Sequence, residues 1–402
     1  MFNKSRAVNA VGRIMYGGLA VAILMFGLTS AVYAQQATGS IRGAVAGAGE
    51  GVVVEAVDVN RGVTRSRTTD ADGSFRFDAI PIGSYKVSVL KDAAVVDSFD
   101  VDVGLASVVV VNLGFTAADV EEIIVTGTRV QPMDTSIAES GLVIDSEALL
   151  ELPIERDLTS VALLAPGVSL GDYRFGGVGN VSFAGASIAE NTSYINGLNL
   201  TNFRTGVGFS QVPFEFYDTL QVKTGGYSAK YGRALGGVLN ARSKSGSNNW
   251  KAGANIYYTD LIDTSPETFL AANDQDIDTD TRINAYLSGA IIPDYLFFYV
   301  LVEDANVEQR YAGNQSGRGY KYEQDETFWG VKLDGYITEN HHFEFTAFSD
   351  EYTGVEGAYE FDPDTDRFGA YLGDTFYNRG GKNWIATYTG DFFDNLQPVS
   401  YT

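Results

Sequence analysis

Few side chains in this sequence are suited to catalysis or metal binding. Its 402 residues include no Cys and only two His, His341 and His342. Neighbouring residues of a strand point to opposite faces, so these imidazoles cannot share one zinc ion. Asp70 and Asp72 could begin a calcium loop, but no Glu follows at calcium-loop spacing, and an Asx turn is the favoured interpretation. We therefore predict a protein that is not an enzyme, with no catalytic residue, no metal and no cofactor.

Two further segments could hold a ligand. The Gly-rich run at 174–180 could cradle a phosphate, but it lacks the Lys-Ser/Thr ending and the following helix of a phosphate loop. The segment 259–281 carries seven acids and no basic residue. It could bind cations, although a solvated loop is the favoured interpretation. Because the chain has 28 basic and 51 acidic residues, a net charge of −23, we predict no nucleic-acid partner.

The first 34 residues indicate export. Lys4, Arg6 and Arg13 precede an apolar run at 14–28, and small residues precede Gln35. This pattern predicts a signal peptide over 1–34, with an uncleaved membrane anchor as the alternative. No later segment approaches 18 consecutive apolar residues. An exported chain with 12% aromatic residues and 45 Gly indicates β-structure of the kind found in outer-membrane barrels.

Residues 38–115 consist of short alternating runs separated by turn clusters such as GAGEG, DADGS and PIGS. That spacing predicts an all-β sandwich. The segment resembles the carboxypeptidase regulatory-like domain, a transthyretin-like sandwich, in the runs Thr69–Phe75 and Ile80–Tyr85. The first run is predicted to form a hairpin turn. In the second, Pro81 and Gly83 are predicted to turn the chain before Tyr85 enters a strand.

A short β-branched run, EEIIVTGTR at 121–129, lies outside any predicted domain. Such a strand is either a sheet edge or a peptide kept for another protein. The run resembles the TonB box of TonB-dependent outer-membrane receptors, and we assign 119–130 to this box and linker. The resemblance implies that the peptide adds a strand to the sheet of periplasmic TonB. The implied TonB-binding residues are Glu122, Ile123, Ile124, Val125, Thr126 and Gly127.

Residues 131–246 are predicted to form an α+β plug. Leu149, Leu152, Leu158, Val161 and Leu164 follow helical spacing, and Pro166-Gly167 ends the run. The β-runs that follow resemble the plug of TonB-dependent receptors, with Asn196 where that family usually has Asp. The Gly pairs permit positive φ and close backbone approach to a barrel wall. The structural motif residues are Asn196, Gly197, Gly225, Gly226, Tyr231, Gly232, Arg233, Gly236 and Gly237.

From residue 249 to 402 the hydrophobic period becomes two. Segments of about ten residues with one apolar face are typical of transmembrane β-strands, and a soluble sandwich is the alternative. Short turns at IIPD and ITEN alternate with long polar loops predicted at 259–281, 305–323 and 350–382. We count roughly six strands, whereas such receptors have 22-stranded barrels. The chain is therefore expected to be the N-terminal part of a longer receptor, with an incomplete barrel.

The sequence thus predicts a mainly β protein of the Oar-like group of TonB-dependent receptors. The resemblance implies uptake of an extracellular substrate across the outer membrane of a Gram-negative bacterium, with energy supplied through TonB. The expected partners are TonB, outer-membrane lipid and an unidentified substrate. Two alternatives stay open: a carbohydrate-binding or adhesive surface protein, and a receptor acting in signal transduction.

Overall fold

The structure is a computed structural model. It describes residues 38–91, 94–104, 107–114, 140–172, 180–202, 206–210, 212–227, 231–232, 234–262, 276–313, 317–338, 341–362, 364–365, 367–390 and 399–400. Among these residues, no helix has both the length and the apolar character needed to cross a membrane. The predicted signal peptide, 1–34, and the predicted TonB box, 119–130, lie outside the described residues.

The N-terminal sandwich consists of two sheets. Its strands are β1 (Thr38–Ala46), β2 (Val53–Asp58), β3 (Thr64–Thr68), β4 (Ser74–Pro81), β5 (Gly83–Lys91), β6 (Ala94–Val103) and β7 (Val108–Gly114). One sheet has the order β4-β1-β7 and the other β3-β2-β5-β6. The strand β1 pairs antiparallel with β4 and parallel with β7. Alternate apolar residues of both sheets form one buried core around Ile41, Phe77 and Val87.

Both turns singled out in the sandwich sequence are present, but the first does not join paired strands. The Gly73 amide donates to the Asp70 carbonyl and closes the turn between β3 and β4. These strands lie in different sheets, so the prediction of a hairpin was wrong, and the turn carries the chain from one sheet to the other. The Asp72 carboxylate accepts from the Ser74 amide at 3.0 Å, and hydrogen bonds from Ser74 lower the pKa of Asp72. This is the geometry of an Asx turn. After the second turn, Tyr85 enters β5 and donates to the Pro81 carbonyl at 2.8 Å.

The plug segment is the part of the chain from Ser140 to Ser243. Its elements are β8 (Ser140–Asp145), α1 (Ser146–Glu151), α2 (Leu158–Leu163), β9 (Val168–Leu170), β10 (Val181–Phe183), β11 (Thr192–Ile195), β12 (Leu198–Asn199), β13 (Tyr217–Gly225) and β14 (Val238–Ser243). Its larger sheet has the order β12-β11-β14-β13-β8.

The helical run predicted over 149–164 forms two short helices instead of one. Pro153 lies between them and cannot continue a helix, because it lacks an amide donor. Each helix begins at its own cap: the Asp145 side chain accepts from the Ala148 amide, and the Asp157 side chain accepts from the Ser160 amide. The helical spacing of apolar residues continues across the gap between the two helices and so did not reveal it. Only Pro153 and the two capping acids, Asp145 and Asp157, indicate the break in the sequence.

The wall sheet is the large antiparallel sheet that follows. Its strands are β15 (Lys251–Ile262), β16 (Ile277–Ile292), β17 (Leu296–Gly313), β18 (Arg318–Thr338), β19 (His341–Ser349), β20 (Tyr352–Asp362), β21 (Arg367–Arg379), β22 (Lys382–Gly390) and β23 (Val399–Ser400). The order is β15-β16-β17-β18-β19-β22-β23, with β20 pairing β18 and β21. The predicted fold class, mainly β with a sandwich, an α+β plug and long barrel-type strands, is confirmed.

The prediction of long polar loops at 305–323 and 350–382 was wrong. The strand β17 runs to Gly313 and β18 starts at Arg318, so their ladder continues through residues that lack an apolar face. Likewise β20 and β21 form a polar hairpin across most of the second range. Alternation of apolar and polar residues marks only the part of a strand that buries one face. Of the third predicted loop, 263–275 lies outside the described residues.

Gly43 offers a test of the sandwich packing. A Cβ atom at this position of β1 would overlap the Val111 carbonyl oxygen and lie 2.7 Å from the Phe75 ring. Because both neighbours are in the core, Gly43→Ala is expected to lower the free energy of local unfolding by about 1–3 kcal/mol. Hydrogen exchange of the β1 amides in the intact protein measures this. Gly49→Ala, with no atom within 4 Å, is the control, and equal protection in both variants would contradict the packing.

Candidate functional site at the junction of plug segment and wall sheet

Aromatic rings join the plug segment to one face of the wall sheet. Phe216 is fully buried, and its ring centroid lies 6.3 Å from Tyr299, 5.5 Å from Phe328 and 5.8 Å from Phe348. The wall makes room with Gly330, where a Cβ would lie 2.5 Å from the Phe216 ring. These contacts continue the hydrophobic core of the plug segment into the wall sheet, so burial of apolar surface holds the two together.

A cluster of buried charges lies at the same junction, and we call it the junction cluster. Arg242 of β14 donates to Glu344 of β19 at 2.8 Å, with its side chain 1% exposed. Lys332 of β18 lies 3.1 Å from the same Glu344 oxygen and 3.6 Å from Asp334. His342 Nε2 lies 3.7 Å from Asp334, and its ring stacks on Tyr336 at 4.4 Å. Two carboxylates therefore face two permanent cations, one of which belongs to the plug segment.

The balance of charge keeps Arg242 ionised. Burial alone lowers the pKa of its guanidinium, but the carboxylates of Glu344 and Asp334 outweigh burial and raise that pKa above its ordinary value. A buried ion pair of this kind is stable only while both partners are present, because removing one leaves the other charged in a medium of low dielectric constant. The junction cluster thus holds the plug segment on the wall sheet by an ion pair whose two partners cannot be separated while either stays buried.

Asn196 makes a second polar link across the junction. Its Nδ2 donates to Thr346 Oγ1 of β19 at 2.8 Å and to Ser243 Oγ at 2.7 Å. Its Oδ1 accepts from the Ser243 amide at 3.1 Å. The residue has a φ of 49° and the following Gly197 a φ of 89°, a tight turn that Asn tolerates better than most residues. The amide group both donates and accepts here, which the Asp usual in the family cannot do when ionised.

A third link is formed by Glu215, which is 2% exposed. Its Oε1 accepts from Arg156 of the plug segment at 2.6 Å and from the Tyr257 hydroxyl of β15 at 2.6 Å. Its carbonyl accepts from the Tyr299 hydroxyl at 2.5 Å. The Arg156 guanidinium lies 4.0 Å from the centroid of the Tyr257 ring, where a cation is attracted to the aromatic face.

The donor set Asp334, His342 and Glu344 could in principle hold a metal ion, since one ligand atom from each lies within 4.8 Å of the others. The ammonium of Lys332 and the guanidinium of Arg242 already neutralise these carboxylates at 2.8 to 3.6 Å. The residues therefore suit an ion-pair cluster better than a metal centre. His341 bonds instead to the Tyr388 hydroxyl at 2.6 Å.

Known families match the two N-terminal parts of the chain. Residues 134–238 match the TonB-dependent receptor plug domain, and residues 36–114 match the carboxypeptidase regulatory-like domain. The TonB-dependent transporter Oar of Myxococcus xanthus is 27% identical over an alignment of 306 residues, which covers 70% of this chain and 28% of the relative. This pair of domains, together with the likeness to Oar, supports a TonB-dependent receptor of the Oar-like type. The predicted family is thereby confirmed, and the relative is described as a transporter, not as an enzyme.

Solved structures of TonB-dependent receptors share part of this chain's architecture. The ferric enterobactin receptor of Pseudomonas aeruginosa gives a TM-score of 0.44 at 16% identity, covering 65% of this chain and 40% of that one. The siderophore receptor PirA of Acinetobacter baumannii gives 0.38 at 14% identity, covering 65% and 47%. The chain thus spans less than half the length of these receptors and 28% of the length of Oar.

The plug motif residues of this receptor have different surroundings. Asn196 and Gly197 lie at the junction, as described above. Tyr231 packs edge-on against Tyr194 and Tyr227, and the Tyr194 hydroxyl donates to the Gly232 carbonyl at 3.3 Å. Arg233 lies outside the described residues, as do the predicted TonB-binding residues 122–127.

The paired glycines of the receptor differ in what they contact. A Cβ at Gly237 would overlap the buried Phe183 ring, and one at Gly236 would overlap Asn191 Oδ1. Gly226 has a φ of 68°, whereas Gly225 has ordinary dihedrals and no atom within 4 Å of a Cβ. Gly236 and Gly237 therefore allow close packing within the plug segment itself, and at these two positions the close approach is not to the wall sheet.

Sequence reasoning missed the residues that form the junction. Arg242 and Glu344 are separated by 102 positions, and Phe216 lies in a run, VPFEFYDTLQV, that reads simply as a strand. One available signal was the placement of Lys332 and Asp334 on the same face of β18, within a segment otherwise alternating apolar and polar residues. Charges on a regularly spaced face mark an inward face of a barrel wall.

Removal of the Arg242 side chain tests the junction cluster. Arg242→Ala leaves Glu344 buried without its guanidinium partner, so we expect a loss of about 3–5 kcal/mol in stability of the plug–wall contact. Thermal unfolding of the purified full-length receptor in detergent measures it. Arg76→Ala is the control, because its ion pair with Asp78 is on the surface and is worth at most about 1 kcal/mol. Equal shifts in melting temperature would contradict the assignment.

Proposed function

We propose that this receptor transports a substrate across the outer membrane of a Gram-negative bacterium, with energy supplied through TonB. The observation that carries the proposal is the plug segment held on the wall sheet by a buried ion-pair cluster. A plug held in this way resists thermal motion, yet releases when a directed pull separates Arg242 from Glu344. The family match and the relative described as a transporter support the same conclusion.

In the proposed mechanism, substrate binds on the extracellular side and shifts the plug segment. Residues 119–130 then pair with TonB as an added strand, in which backbone hydrogen bonds give affinity and alternate side chains give selectivity. TonB transmits work from the proton motive force, the plug rearranges, and the substrate passes. This sequence of steps needs no catalytic residue and no cofactor. The TonB-binding residues proposed are Glu122, Ile123, Ile124, Val125, Thr126 and Gly127.

The location and partners belong to the same proposal. Residues 1–34 would direct export as a signal peptide, and the wall sheet would form part of a barrel in contact with outer-membrane lipid. The domain division predicted from the sequence, with the regulatory-like domain over 38–115, the plug over 131–246 and barrel strands from 249, is retained here.

The alternative of a carbohydrate-binding protein finds little support in the sandwich. Sugar rings stack on exposed aromatic side chains, but this part of the sequence has no Trp and a single Tyr, Tyr85. That side chain is 3% exposed, with its hydroxyl bonded to Pro81. Signal transduction is also disfavoured, since the described part of the sandwich is all β rather than a mixed βαβ module.

A proline at position 124 tests the proposed TonB contact. Ile124→Pro removes one backbone donor from the added strand and clashes with the neighbouring chain. We expect affinity for the periplasmic domain of the host's TonB to fall at least about tenfold. The measurement is surface plasmon resonance with the full-length receptor.

Ile124→Val is the matched control, because it keeps the amide and the β-branched shape and should bind within about twofold of the unchanged receptor. If the proline variant binds TonB as tightly as the valine variant, residues 122–127 are not the contact, and the energy-coupling part of the proposal fails.

A further inference from the structure

The N-terminal sandwich touches the wall sheet at one well-defined place. The turn between β2 and β3, residues 58–63, meets the turn between β16 and β17. Asn248, just before the wall sheet, joins them: its Nδ2 donates to the Arg61 carbonyl at 2.6 Å and to Asp294 Oδ1 at 2.7 Å. Its amide donates to the Asn60 carbonyl at 3.2 Å, and its Oδ1 accepts from the Asp294 amide at 3.0 Å. One side chain thus bridges both turns.

Apolar and steric contacts complete this meeting point. Val63 is 9% exposed and forms a buried cluster with Ala290, Phe297 and Tyr336 of the wall sheet. Gly62 has a φ of 72°, and a Cβ there would lie 2.7 Å from Asp294 Oδ1. The backbone of the sandwich turn therefore lies directly against the wall, which is close packing of the kind found inside a domain.

The turn at residues 58–63 is also preorganised for this contact by hydrogen bonds of its own. Asp58 is 2% exposed. It accepts from the amides of Asn60 and Arg61 at 2.9 Å each, and from Arg61 Nη1 at 2.8 Å. Because Asp58 fixes the turn by itself, docking costs little conformational entropy.

A charge links this contact to the junction cluster. The carboxylates of Asp58 in the sandwich and Asp334 in the wall sheet both help to raise the pKa of the buried Arg61 guanidinium, against the effect of its burial. Arg61 in turn repels Arg242 of the plug segment.

We propose that residues 58–63 are a clasp that docks the N-terminal sandwich on the wall sheet at the β16–β17 turn, with Asn248 as the bridge. The regulatory-like domain is then a fixed part of the receptor and not a module on a free tether. Docking of this kind needs no TonB, so it stands apart from the proposed energy coupling.

Cysteine cross-linking in the full-length receptor, in isolated outer membranes, tests the clasp. The 402 residues of this sequence contain no Cys, and any Cys elsewhere in the full-length receptor is replaced by Ser, so that Gly62→Cys and Asp294→Cys are joined selectively by a short bis-maleimide. The bonds from Asn248 to the Arg61 and Asn60 carbonyls remain in this variant. The matched control pairs Asp294→Cys with Gly51→Cys, another glycine of positive φ but with no atom within 4 Å of a Cβ.

The cross-linked peptide is quantified by mass spectrometry. We expect the Gly62 pair to yield at least tenfold more cross-link than the Gly51 pair, and Asn248→Ala to lower that yield at least threefold. Asn249→Ala, an exposed neighbour, should leave it unchanged. Equal yields for the two pairs would overturn the clasp, and so would a yield indifferent to Asn248→Ala.

A readout without substitutions guards against misfolded variants. In the unchanged receptor, the Asn248 amide is bonded to the Asn60 carbonyl, so its hydrogen exchange should be at least tenfold slower than that of the exposed Asn249 amide. Equal exchange rates would again overturn the clasp. Neither experiment involves TonB, so their failure would leave the proposed function untouched, and a failure of TonB binding would leave the clasp untouched.

Discussion

The contact between plug segment and wall sheet depends on charges that are buried together. A guanidinium or a carboxylate loses its hydration on burial, and only a partner close by restores what was lost. Arg242 and Glu344 meet at 2.8 Å, with Lys332 at 3.1 Å from the same oxygen. One of the two cations comes from the plug and the other from the wall, so the charges balance only when the plug segment lies against the wall sheet as it does here.

The aromatic contacts at Phe216 have a different role. Apolar burial is non-directional and roughly proportional to area, so a ring packed on Tyr299, Phe328 and Phe348 tolerates small sliding. An ion pair with hydrogen-bond geometry does not. The rings therefore supply most of the free energy that holds the plug segment on the wall sheet. The Arg242 ion pair and the Asn196 hydrogen bonds fix the position of the plug segment along that sheet.

Local patterns in the sequence were enough to predict the sandwich, because its strands bury one face each and its turns carry Asp, Gly and Pro at positions that demand them. The matched motifs around Asn196 and Gly237 likewise pointed to the plug. The junction was not predictable, since Arg242 and Glu344 are 102 residues apart and pairing across that distance leaves no local pattern. The polar extensions of β17 and β18 were missed for a related reason: a backbone ladder holds them without any apolar period.

The position of Arg242 within the plug sheet decides the order in which contacts would break if TonB pulled on residues 119–130. The sheet order is β12-β11-β14-β13-β8, and β8, the first strand that the structure describes after residues 119–130, lies at its edge. Arg242 is on β14, two strands further in. Under the proposed function, force applied at 119–130 acts first on the ladder between β8 and β13, which joins Ser140–Asp145 to Thr219–Gly225. An edge ladder that peels from its end loses few hydrogen bonds at a time, whereas the buried Arg242 pair must break as a unit. The edge strand should therefore yield before the junction cluster does, so that early work remodels the rim of the plug while Arg242 still holds its core against the wall.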